Sequence, residues 1–126
     1  MSVKKRQQKN DGKKILKKRE RKAVAEFVSL VVQRMSGQVK ELTLFGSRAR
    51  GHYRRYSDID VLVLIDQENL KNWERIQSLS AFVSLKFDVV LSALVMDAKR
   101  YKTHSQLKTL LFTNISQDGI RLWKKK

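Results

Sequence analysis

The sequence predicts one α/β or α+β domain built on a small sheet. Three observations lead there. The chain has 126 residues, one domain's worth of sequence and enough for a single core. Four short β-prone apolar runs stand out, over 39–45, 57–65, 86–94 and 120–123. Between them lie stretches whose apolar residues recur at helical spacing, so strands and helices alternate along the chain.

The elements follow in order. Residues 1–12 hold bases, Gln, Asn, Asp and Gly with one Val, which predicts a disordered basic arm ahead of a domain over 13–126. Val24, Phe27, Val28, Val31 and Met35 then mark one face of a helix, with Gly37 where a C-cap belongs. Val39 to Phe45 reads as a strand ending at Gly46. A polar loop from Gly46 to Tyr56 carries five Arg or His residues. Ser57 to Ile65 is the most apolar run and reads as a central strand. Asn69 to Phe82 reads as a helix, Lys86 to Leu94 as a third strand, and Ser105 to Ile115 as a helix closed by Asp118-Gly119. Ile120 to Trp123 is a short last strand. Asp66 and Asp97 lie just beyond apolar runs, as turn or cap residues do. Proline is absent, so these boundaries rest on glycine and charge.

Composition narrows the chemistry. There is no cysteine, which excludes disulfides, thiolate zinc sites and cysteine nucleophiles. No apolar run reaches the ~18 residues of a membrane span, and no apolar stretch follows the charged N-terminus as in a secretory signal. A soluble, cytoplasmic protein without membrane contact is expected. The net charge is +16, of which residues 1–22 carry +9 and Lys124, Lys125 and Lys126 another three. Such basic ends suit contact with nucleic acid, and equally a solubilising role.

The residues that point to chemistry lie between Leu44 and Val61. Asp58 and Asp60 are two apart on a strand, so both side chains point to one face. Strands disfavour Asp, and buried unpaired carboxylates are costly, so the pair calls for cations, hard divalent ions such as Mg²⁺ above all. Salt bridges to the neighbouring arginines are the plainer alternative. Asp88, between Phe87 and Val89 in the expected third strand, is a third acid, or else an exposed strand-face residue. Gly46-Ser47 follows a strand and can offer backbone N–H groups and a hydroxyl to phosphate; Ser47 as a helix N-cap is compatible with that. Arg48 and Arg50 add positive charge for a nucleotide, or pair with the acids. A phosphate site and a metal site joined by eleven residues suggest a metal-bound triphosphate. Gly46 and Gly51 have a P-loop's spacing, but His52-Tyr53 stands where Lys-Ser/Thr is required, and that reading fails. Tyr53, Tyr56, His52 and His104 read as surface residues.

Gly46-Ser47, ten residues, then Asp58-Ile59-Asp60 resembles the signature of the DNA polymerase beta nucleotidyltransferase superfamily. Phe45-Gly46-Ser47-Arg48-Ala49-Arg50-Gly51 with Ser57 to Asp60 resembles, more narrowly, the minimal nucleotidyltransferases. These include antitoxin partners of HEPN-domain proteins and the catalytic domain of aminoglycoside nucleotidyltransferases. Phe112 to Trp123 resembles the close of that domain, so the likeness spans 24–123. It implies a mixed sheet of about four strands with helices mainly on one face. It implies Asp58 and Asp60 on two Mg²⁺ ions (Mn²⁺ as a substitute), with Asp88 on the ion that activates the acceptor. Gly46 and Ser47 would hold the β- and γ-phosphates, with Arg48 and Arg50 beside them. The activity implied is transfer of NMP, AMP from ATP or from another NTP its counterpart, to a hydroxyl acceptor, with a HEPN-type helical protein as partner. Two other readings stand beside it. One is a catalytically weak antitoxin-like module that binds a HEPN-type protein; the other is a nucleic-acid-associated basic protein.

Overall fold

The computed structural model describes residues 16–51 and 58–126. The arm expected over 1–12, and His52, Tyr53 and Tyr56 with it, lie outside those residues. The elements are α1 (Lys18–Arg34), β1 (Val39–Phe45), α2 (Gly46–Ala49), β2 (Ile59–Ile65), α3 (Leu70–Phe87), β3 (Leu91–Asp97), α4 (Ala98–Leu107), α5 (Leu110–Asp118) and β4 (Ile120–Lys124). Four strands form one sheet in the order β3-β2-β1-β4. β1 runs antiparallel to β2 and β4, whereas β2 and β3 are parallel, so the sheet is mixed as the sequence resemblance implies.

Period-two alternation sends Ile59, Val61, Val63 and Ile65 to one face of β2 and Asp60, Leu62 and Leu64 to the other. The first set packs with Phe27 and Val31 of α1 and with Ile76 and Val83 of α3, forming the main core. In β1, Val39 and Leu42 both join that core although they are three residues apart. A bulge between Val39 and Glu41 makes this possible by shifting the register one residue. The second face is closed more lightly by α4 and α5, where Leu62, Met96 and Ile115 are buried against Tyr101 and Leu111. Tyr101 and Phe112 meet edge to face at 5.6 Å. The two long helices thus carry most of the core on one side of the sheet.

Several local readings hold. Asn69 caps α3 by accepting from the Asn72 N–H at 2.8 Å, and Asp97 caps α4 by accepting from Arg100 N–H at 2.8 Å. Two need correction. The third strand is Leu91–Asp97, not 86–94, because α3 runs on to Phe87. Ile76, Ser80 and Val83 continue its buried stripe at helical spacing, and the chain turns only at Asp88, which adopts a left-handed conformation at φ 53°. The helix expected over 105–115 is two helices. Lys108 ends α4 at φ 51°, and the Thr109 hydroxyl accepts from Phe112 N–H to begin α5. His104 bridges the break through Nδ1 to the Thr109 hydroxyl at 2.9 Å.

β3 is an edge strand, and side chains of α3 engage outward backbone groups of its first half. Gln77 donates to the Ala93 carbonyl at 2.9 Å and Ser80 to the Leu91 carbonyl at 2.6 Å, while the Ser84 hydroxyl accepts from Leu91 N–H at 3.0 Å. Among the described residues no helix is long and apolar enough to cross a membrane.

Candidate active site

β1 delivers the glycine-serine turn directly to the acids. Its last residue, Phe45, pairs with Asp60 across the antiparallel ladder, so Gly46 emerges beside that carboxylate. Gly46 has φ 81°, and a Cβ built there would collide with the Asp60 Oδ2 atom and lie 3.3 Å from its Cγ. Both the backbone angle and the contact therefore require glycine. The motif's two halves, fourteen residues apart in sequence, are thus in contact. Ser47 follows, half-buried, in the one-turn helix α2; Phe45 occupies the N-cap position and no side chain caps that helix, so Ser47 is not its cap.

The acids differ in setting. Asp58 is exposed just ahead of β2, and Asp60 is half-buried on the face that α4 and α5 cover. Burial raises the Asp60 carboxyl above its ordinary 3.8, the Asp58 charge raises it further, and the Arg50 guanidinium opposes both. A half-buried carboxylate whose ionisation a neighbouring charge disfavours gains from a cation.

Asp88 is not on a strand. It is the exposed left-handed cap at the end of α3, and across the parallel ladder Asp60 faces Ser92 instead. Among the described residues no three His, Cys, Asp or Glu side chains gather as a metal site, so the structure brings Asp58 and Asp60 together without Asp88. It does keep Asp88 at the same end of the sheet: the Val90 carbonyl, two residues on, accepts from Ile59 N–H at 2.8 Å.

Arg48 also departs from expectation. Its side chain is 1% exposed and forms an ion pair with Glu20 of α1. Burial alone would raise the Glu20 carboxyl, but hydrogen bonds from Arg48 and from the Lys17 N–H hold it below the ordinary 4.5. Arg48 thus anchors the glycine-serine turn to the first helix and does not reach for a nucleotide. Sequence reasoning missed Glu20. Its one signal is that only Asp11 and Glu20 are acidic within residues 1–22.

A model of the nucleotidyltransferase domain matches residues 24–113. The chain belongs to the nucleotidyltransferase family. This nucleotidyltransferase is 31% identical over 100 residues to "Putative protein adenylyltransferase MJ0604" of Methanocaldococcus jannaschii, covering 79% of the chain and 94% of that protein. It is 29% identical over 100 residues, with the same coverage, to a second protein of that organism so named, MJ0141. Among solved structures it resembles a toxin-antitoxin crystallised with AMP-PNP, with TM-score 0.52 and 22% identity, covering 80% of this chain and 73% of that one. A mutant of the toxin-antitoxin MntA-HpeT gives TM-score 0.52 and 21% identity, covering 79% and 72%. These likenesses show the nucleotidyltransferase fold.

Proposed function

We propose that this nucleotidyltransferase transfers AMP from ATP to a hydroxyl of a partner protein. The contact of the Gly46 turn with the Asp60 carboxylate carries the reading, because it sets a phosphate-binding backbone against a cation-binding acid pair. The names of the sequence relatives support a protein as acceptor, and the toxin-antitoxin neighbours favour a HEPN-type helical partner.

The donor set fits Mg²⁺, which keeps several waters and takes one or two carboxylates beside substrate phosphates. Asp58 and Asp60 would hold it, and when bound it supplies positive charge to the triphosphate. Gly46 and Ser47 offer backbone N–H groups and one hydroxyl to the β- and γ-phosphates, with Arg50 beside them. This orients the α-phosphorus toward the acceptor. The acceptor oxygen bonds to that phosphorus as the bond to the bridging oxygen breaks, pyrophosphate leaves, and the acceptor's proton passes to a carboxylate oxygen. Asp88, outside the pair but at the same end of the sheet, is the acid we assign to that proton.

Labelled ATP tests the reaction. With Mg²⁺ and a HEPN-type acceptor, label in the α-phosphate is expected to remain on denatured acceptor protein and label in the γ-phosphate to be lost as pyrophosphate. Retention of γ-label would make the protein a kinase and overturn the proposal. Asp88→Asn separates the acids' roles. Asn tolerates the left-handed conformation, so folding is preserved. The variant is expected to keep the Mg²⁺–ATP rise in melting temperature while transfer falls by ~10²–10⁴-fold, the usual contribution of a positioned base. Full transfer would remove Asp88 from the reaction.

A further inference from the structure

We propose that a cleft between α1 and α3, across the sheet from Asp60, binds the phosphate backbone of single-stranded nucleic acid. The cleft has a volume of about 380 Å³ and is lined by Arg34, Lys71, Glu74, Arg75, Ser78 and Leu79. Arg34 comes from the last turn of α1 and the others from the first ten residues of α3. Three cations and one acid share this concavity. None of the three cations is within ion-pair distance of a carboxylate among the described residues, whereas Lys40, Arg48, Lys86, Arg100 and Arg121 are. Three cations against the single Glu74 carboxylate leave an excess of positive charge, which an anion offsets.

The lining argues for phosphate rather than an apolar ligand. Leu79 is its one hydrophobic residue, while two guanidiniums, an ammonium and the Ser78 hydroxyl can donate, against one carboxylate, Glu74. The surface beyond the cleft argues for a strand rather than a free nucleotide. Lys71, Arg75, Ser78 and Phe82 recur at i, i+4, i+7 and i+11, so they lie along one line of α3 about 16 Å long. Phe82 ends that line, 52% exposed, with the Lys86 ammonium 5.9 Å from its ring centroid adding a further cation to the track. Cations followed by an exposed aromatic ring on one track match the way single strands are held, by backbone charge and base stacking. The chain's net charge of +16 draws any polyanion toward it. This site is separate from the transfer reaction and does not depend on the proposed acceptor.

The test is fluorescence anisotropy on the full chain with a labelled twelve-nucleotide single-stranded RNA. The probes are the parent, Arg34→Gln/Lys71→Gln/Arg75→Gln, and a charge-matched control, Lys99→Gln/Lys102→Gln/Lys124→Gln. The cleft variant is expected to bind at least ~10-fold more weakly, with its log Kd–log salt slope reduced by about 2, as for three single-strand phosphate contacts. The control is expected to stay within ~3-fold of the parent. Phe82→Ala is expected to weaken binding further without altering the slope. Equal losses in both triple variants would reduce the effect to general charge and overturn the site. Displacement of the RNA by ATP at equal phosphate concentration, or by poly-glutamate at equal charge, would overturn the assignment to a nucleic-acid strand. All variants are surface changes, so melting temperatures within about 1–2 °C of the parent certify folding.

Discussion

Asp58→Asn combined with Asp60→Asn is expected to abolish AMP transfer, by ~10³-fold or more, the scale on which loss of charge-stabilising groups acts in an active site. The same variant is expected to melt slightly higher than the parent when no ligand is present. Asp60 has its carboxyl raised above 3.8 by burial and by Asp58. Its ionised form is therefore less favoured in the folded protein than in the unfolded chain. The resulting penalty is present at neutral pH and fades as pH falls through the raised value. This side chain is only partly buried and solvent screens it, so the gain is small, ~0.5 kcal/mol or about 2 °C. The difference between variant and parent should close as pH approaches 3.8. Mg²⁺–ATP is expected to raise the parent's melting temperature and to leave the variant's unchanged. Loss of transfer with an undiminished Mg²⁺–ATP shift would place the nucleotide elsewhere.

Glu20→Ala is expected to be among the most destabilising single changes in the chain. It removes the carboxylate from Arg48, whose side chain is 1% exposed. Breaking a buried pair by deleting one partner costs about 3–5 kcal/mol, a large share of a domain's typical 5–15 kcal/mol. The midpoint of thermal unfolding should fall by roughly 10 °C or more. Since Arg48 sits in the one-turn helix that Gly46 and Ser47 open, the KM for ATP should rise as well. Glu20→Leu with Arg48→Met is expected to recover most of the stability, because no charge is then left buried. The Glu20 carboxyl is held below 4.5, so the pair's contribution is complete above that pH and is lost as pH falls through the lowered folded value. A parent-like midpoint for Glu20→Ala would show the pair to be a surface contact.

Where local chemistry decides the backbone, the sequence was legible. Val39 to Phe45 forms the strand its β-prone run announces, and Asn69 and Asp97 cap helices as short polar residues do. The Gly-Ser turn and the two acids were also readable, because their spacing is tied to backbone contact. Two failures share a cause. Asp88 and Lys108 take left-handed conformations without being glycine, so nothing in their side chains marks the breaks. Val89, Val90 and Leu91 then draw the expected strand too early, and α4 and α5 read as one helix. The Glu20–Arg48 pair, 28 residues apart, was beyond any local pattern. It arises only when α1 and the turn after β1 pack together.

The hydrogen bonds from Gln77, Ser80 and Ser84 to β3 have a consequence for assembly. An open sheet edge is a template on which another polypeptide can align, backbone against backbone, with little regard to its sequence. Here the Leu91 and Ala93 carbonyls and the Leu91 N–H are already engaged by side chains of the same chain. A second polypeptide arriving at that rim would have to displace those bonds before making its own. At this end of the rim, recognition would consequently pass through side-chain shape and charge, which discriminate between partners where a bare strand would not.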